Sequence, residues 1–181
     1  AFLDQGITKG DKIATILPNS LELLEVYWAV AQMGAVVVPL SPLLRGTGLI
    51  TLLRDSDSET VITNKTFVEI LNPIKPELPA IKADRYWLTD STATEGYQGY
   101  QIMKAQASDQ DPRGIELSDQ DPYNIIYSSG TTGLPKGIIH THYVRAMYCA
   151  LFASSYRILP ESIVLHSGSI VFNGACLTLM P

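Results

Sequence analysis

Short unbroken apolar runs alternate along this chain with longer stretches in which apolar residues recur every three or four positions. The first run, KIATIL at 12–17, reads as a buried strand, and Pro18 with the Asn19/Ser20 pair marks the start of a helix. From there Leu21, Leu24, Trp28 and Ala31 recur at helical steps to about Met33, predicted as the inward face, and Gly34 is placed to end the helix. Residues 35–39 form a second apolar run, which suits a parallel strand covered on both faces. Residues 46–55 predict a second helix with Leu49, Leu52 and Leu53 inward. Residues 60–63 follow as a strand, 66–71 as a helix and 85–89 as a strand. This alternation predicts βαβ winding: an α/β fold with doubly wound, mostly parallel sheets and flanking helices.

Polarity rises between Asp90 and Asp121, where an irregular connection with one short helix near 100–107 is expected. A subdomain boundary is placed here, dividing the chain into 1–121 and 122–181. Beyond it, YNIIY and GIIHTH read as short strands, Thr141 as the cap of a helix over 142–157, 162–166 as a strand and 174–179 as a helix.

Between the two short strands lies YSSGTTGLPKG, residues 127–137, a composition suited to holding phosphate. Gly130 and Gly133 can take backbone angles closed to other residues, turning consecutive N–H groups toward an anion. Ser128, Ser129, Thr131 and Thr132 add hydroxyl donors, and Lys136 adds a mobile positive charge. The common P-loop needs GxxxxGK, then Ser or Thr, opening a helix; here Pro135 precedes Lys136, Gly137 follows it, and both flanks read as strands. The segment is therefore predicted as a clasp between two strands. A ligand-free turn is the alternative, but ordinary hairpins need only about two to five loop residues. The helix after the clasp is expected to start close to the phosphate loop, so that its N-terminal dipole can assist anion binding, a matter the distance decides.

SSGTTGLPKG closely resembles the phosphate-binding signature of the adenylate-forming superfamily, which includes acyl-CoA synthetases, peptide-synthetase adenylation domains and firefly-type luciferases. AVAQMGAVVVPLSPLL, residues 29–44, resembles that family's segment in which a helix ends at glycine and a buried strand runs into a proline turn. The resemblance implies the large N-terminal domain of an adenylate-forming enzyme. It also implies ATP-dependent activation of a carboxylic acid as acyl-adenylate, followed by transfer to a thiol, with ATP, Mg2+ and coenzyme A as cofactors and co-substrates. By motif position Thr132 and Lys136 carry the catalytic part, and Ser128, Ser129, Gly130, Thr131, Thr132, Gly133, Lys136 and Gly137 hold the nucleotide. HSGSIVFNGACLTLMP resembles the region lining the acyl pocket, with Phe172, Asn173 and Gly174 facing substrate and Val171 where histidine is usual. A plain core role for Phe172 stands equally open. The family's later motifs are absent, so the chain reads as part of an N-terminal region, alone a weak or inactive catalyst. The acceptor is read as coenzyme A. A peptide-synthetase adenylation domain loading a carrier protein would want an acid in the pocket region, which SGSIVFNGA lacks, and a non-catalytic nucleotide-binding module is the further alternative.

Composition refines this reading. With 181 residues and 46% hydrophobic content the chain can bury a sizeable core. A net charge of −5 argues against nucleic acid as partner. The two cysteines have no CxxC or Cys/His spacing, which argues against a disulfide framework or zinc site and fits a cytoplasmic location. Residues 27–44 are too interrupted for a membrane span, and the opening residues lack the pattern of a signal peptide. His140 and His142 share a strand face without a third ligand, so no metal site is expected. Asp55, Asp57 and Glu59, like Asp109, Asp111, Asp119 and Asp121, read as solvated loop carboxylates.

Overall fold

The computed structural model describes residues 1–92, 94–112, 114–128 and 135–181. Strands β1 (Lys12–Ile16), β2 (Val36–Pro39) and β3 (Thr60–Thr63) are short and almost wholly buried, as their apolar runs require. With β4 (Tyr86–Leu88), the two-residue β5 (Gln98–Gly99), β6 (Pro122–Ser128) and β7 (Lys136–Thr141) they make one seven-stranded sheet in the order β5-β4-β3-β1-β2-β6-β7. Every pairing is parallel except β6 with β7. β6 joins β2 through Val37 and Asn124, so residues on both sides of Asp121 share the sheet.

Alternate strand residues enter opposite layers. Ile13, Val37, Ile62 and Trp87 pack with helix α1 (Leu21–Met33) on one face; Ala14, Ile16, Val38, Val61 and Tyr86 pack with helix α2 (Gly46–Asp55) on the other. The topology explains this. From β1 the chain steps to β2, then returns past β1 to β3, and both crossovers are right-handed only if their helices lie on opposite faces.

α1 starts at the Ser20 cap, whose hydroxyl accepts from the Leu23 amide at 3.3 Å, and ends at Gly34, with φ of 71°. Its inward face corrects the sequence reading. Leu21 is 75% exposed and Trp28 46%, while Leu23, Val26, Tyr27, Val30 and Met33 form the buried stripe. LELLEVYWAVAQM is apolar nearly all round, so periodicity offers two stripes, and the sheet selects the one whose Tyr27 hydroxyl can donate to Ile170 O at 2.9 Å. In α2, Leu49, Leu52 and Leu53 are inward as expected.

Residues 65–77 combine 3-10 turns with the single-turn α3 (Val68–Leu71), and Tyr100–Ala105 form α4 within the polar connection. After β7 comes the long α5 (His142–Tyr156), and α6 (Cys176–Leu179) follows a 3-10 turn at Asn173–Ala175. The strand expected at 162–166 does not form. Ile163 is 99% exposed and Leu165 91%; a strand needs a ladder partner, and none of the described residues provides one.

Candidate functional site at the base of the phosphate clasp

The clasp is a hairpin. Strand β6 ends at Ser128 and β7 begins at Lys136, paired directly opposite one another, with Tyr127 opposite Gly137. Ser129, Gly130, Thr131, Thr132 and Gly133, the centre of the predicted nucleotide grip, lie outside the described residues. What is described is the frame that presents them. Lys136 is exposed at the loop exit and makes no ion pair with the described residues.

Two features hold this frame. The ring of Tyr127 lies across Gly137, where an added Cβ would come within 3.2 Å of Cε1 and Cζ and within 2.9 Å of Ile125 Cγ2. Gly137 therefore permits the close approach of the two strands, an aromatic ring covering a strand glycine. The Tyr127 hydroxyl donates to Asp55 Oδ2 at 2.6 Å, tying the hairpin to the last residue of α2. Burial and the neighbouring carboxylate push the Tyr127 pKa up, so it stays a donor. The sequence reading had placed Asp55 in a solvated turn. A carboxylate in the last turn of a helix is disfavoured by the dipole, and that is the one local hint that it has a partner.

The helix dipole lies far from Lys136. α5 starts after Thr141, at the opposite end of β7 from Lys136, roughly 17 Å away at strand rise. Its first-turn donors are also taken: Val144 N by Thr141 Oγ1, His142 N by Asp121 O and Tyr143 N by Asp119 O. Asp121 is likewise no free loop carboxylate. It accepts from Lys9 Nζ at 2.6 Å, and this bond above all lowers its pKa.

A cavity of about 150 Å³ opens at the clasp base, lined among others by Leu40, Tyr127, Ser128, Pro135, Val171 and Phe172. The fold thus brings Phe172, half exposed and some forty residues further along the chain, to the base of the clasp. Asn173 and Gly174 do not line it. Asn173 turns its amide to Arg145 and Tyr148, and a Cβ at Gly174 would meet nothing within 4 Å.

The three histidines go separate ways. His140 Nδ1 lies 3.4 Å from Asn124 Nδ2, His142 packs edge-on to Tyr123, and His166 Nδ1 meets Thr178 Oγ1 at 3.3 Å. Among the described residues no group of three or more His, Cys, Asp or Glu could hold a metal, both cysteines are free, and no helix is long and apolar enough to cross a membrane.

A doubly wound, mostly parallel sheet edged by a hairpin, with a cavity at the hairpin base, defines an α/β domain whose candidate site lies at one edge of the sheet. The profile of the AMP-binding enzyme family matches residues 1–181, and the chain belongs to that family. It is 31% identical over 137 residues to a long-chain-fatty-acid–CoA ligase of Mycobacterium tuberculosis, covering 76% of this chain and 26% of that protein. It is 31% identical over 144 residues to a crotonobetaine/carnitine–CoA ligase of Escherichia coli, covering 78% of this chain and 28% of that one. The chain spans about a quarter of the length of these relatives. A crystal structure of a long-chain-fatty-acid–CoA ligase from Archaeoglobus fulgidus superposes with a TM-score of 0.87 at 20% identity, over 99% of this chain and 34% of the other, sharing the fold.

Proposed function

We propose that this chain forms the phosphate-gripping hairpin and one wall of the acid pocket of an AMP-forming acid–thiol ligase of the acyl-CoA synthetase type. A carboxylate oxygen attacks the α-phosphorus of ATP, the bond to the β-phosphate oxygen breaks, and pyrophosphate leaves. The thiol of coenzyme A then attacks the acyl carbonyl and releases AMP. In this reading Thr131 and Thr132 donate to phosphate oxygens, with Ser128, Ser129, Gly130 and Gly133 shaping the loop. Lys136, an exposed cation with no competing ion pair among the described residues, meets the charge that grows on pyrophosphate. Gly137 serves the grip indirectly, by letting β7 lie against Tyr127. Magnesium is proposed as the companion of the ATP phosphates.

The observation that carries the reading is the shared cavity: Phe172 stands beside Ser128 and Pro135, so an acid against Phe172 sits next to the phosphates. Among the described residues no carboxylate lines that cavity to pair with an amino-acid ammonium, which favours a non-amino acid substrate and coenzyme A over a carrier-protein acceptor. A cytoplasmic location without a nucleic-acid partner is the companion proposal, supported by the free cysteines and the net charge of −5. The test is ATP–pyrophosphate exchange by the full-length protein against a panel of carboxylic acids. Thr132→Ala and Lys136→Ala should each slow exchange by about 100- to 1,000-fold, the range for lost transition-state donors. Unchanged exchange in both rejects their assignment, and no exchange with any acid rejects the ligase reading.

A further inference from the structure

α5 buries one residue fully, and it is a charged one. Arg145 is 4% exposed, and among the described residues no carboxylate pairs with it. It stands on a stripe with Tyr148, Cys149 and Phe152, where an apolar residue of similar volume would pack without the cost of burying a charge. Its bonds run in two directions. Nε donates to Asn124 Oδ1 on β6 at 2.8 Å, and Nη1 donates to Asn173 Oδ1 at 2.9 Å. Asn124 reaches on to His140 of β7, and Asn173 Nδ2 donates to the Tyr148 hydroxyl at 3.2 Å, while the guanidinium lies 5.0 Å from the Tyr148 ring centre. Both ends of the Asn173 amide are therefore used, and its orientation is fixed.

The two directions lead to the two halves of the proposed site. Asn124 and His140 belong to the hairpin that carries the phosphate clasp, and Asn173 is the neighbour of Phe172 at the cavity mouth. We propose that Arg145 is a positioning residue that holds the acid-facing segment around Phe172 in fixed register with the phosphate hairpin. The planar fork of the guanidinium suits this task, because two bonds at a set angle fix a distance that a single ammonium would leave loose. Small displacements between reacting groups carry large rate costs, so register between acid and phosphate has functional weight. This inference rests on reading Phe172 as a wall of the acid pocket.

The test uses the full-length protein with Arg145→Met, Arg145→Lys and Asn173→Ala, the last guarding against loss of fold at the arginine. Hydrogen exchange by mass spectrometry over 170–176, with 21–33 as reference, reads the linkage without any need for activity. Arg145→Met should accelerate exchange at 170–176 by about tenfold and leave 21–33 unchanged, the loss expected for a charge-assisted bond. In pyrophosphate exchange the same variant should raise KM for the acid by about tenfold with KM for ATP within about twofold, and Arg145→Lys should recover part of the loss. Acceleration spread evenly over the protein, no acceleration at 170–176, or acid and ATP constants rising together would each overturn the proposal. If wild type activates no acid, the ligase reading fails, while the exchange pattern still decides whether Arg145 ties the two segments.

Discussion

Gly137→Ala tests the physical account of the clasp. The added methyl would sit 2.9 Å from Ile125 Cγ2 and 3.2 Å from the Tyr127 ring, closer than side-chain carbons normally approach. Neither neighbour yields freely. Ile125 is branched and fixed to the opposing strand, and the Tyr127 ring is anchored through its hydroxyl to Asp55 at 2.6 Å. Overpacking of this kind costs about 1–3 kcal/mol. Against it stands about 0.4–1 kcal/mol gained from the smaller entropy of the unfolded chain, since Gly137 does not use a positive φ. The balance is a loss of about 1–2 kcal/mol, read as a lower urea midpoint at unchanged slope. Tyr127→Phe supplies the diagnostic. It should cost about 1 kcal/mol by itself and, by freeing the ring, should make Gly137→Ala cheaper, with a coupling of about 0.5–1 kcal/mol in the double-variant cycle. A Gly137→Ala protein as stable as wild type, or more so, would show that the strands do not need that close approach.

Two further predictions address packing and pH. Leu23→Ala, at a fully buried position, should cost about 2–5 kcal/mol, whereas Leu21→Ala, 75% exposed, should stay within about 0.5 kcal/mol; equal costs in urea unfolding would refute the assignment of the α1 core face. His140 has its pKa lowered from 6.5 to about 4, by burial first and by the Arg145 charge second. The unfolded chain therefore binds the extra proton between those values, so the stability it contributes is complete above about pH 6.5 and drains as pH falls toward 4. His140→Gln should flatten that part of the stability profile, and an unaltered slope there would count against it. Asp121, with its pKa lowered chiefly by Lys9, loses its contribution only at lower, carboxylate pH, and Asp121→Asn separates the two windows.

The chain carries its local architecture openly. Apolar runs gave the buried strands, Ser20 and Gly34 bounded α1, and flanks of strand character around SSGTTGLPKG gave a hairpin rather than a strand-to-helix loop. These signals lie within a few residues of what they specify, because capping, turn chemistry and periodicity act over one or two turns. Tertiary structure decided the rest. Which stripe of an all-round apolar α1 faces the sheet and whether 162–166 finds a strand partner depend on where distant segments dock. Tyr127 with Asp55 spans 72 residues, and Arg145 with Asn173 spans 28. No local pattern encodes such pairs, since a carboxylate or guanidinium looks solvated in sequence until the fold removes its water and leaves one partner within reach.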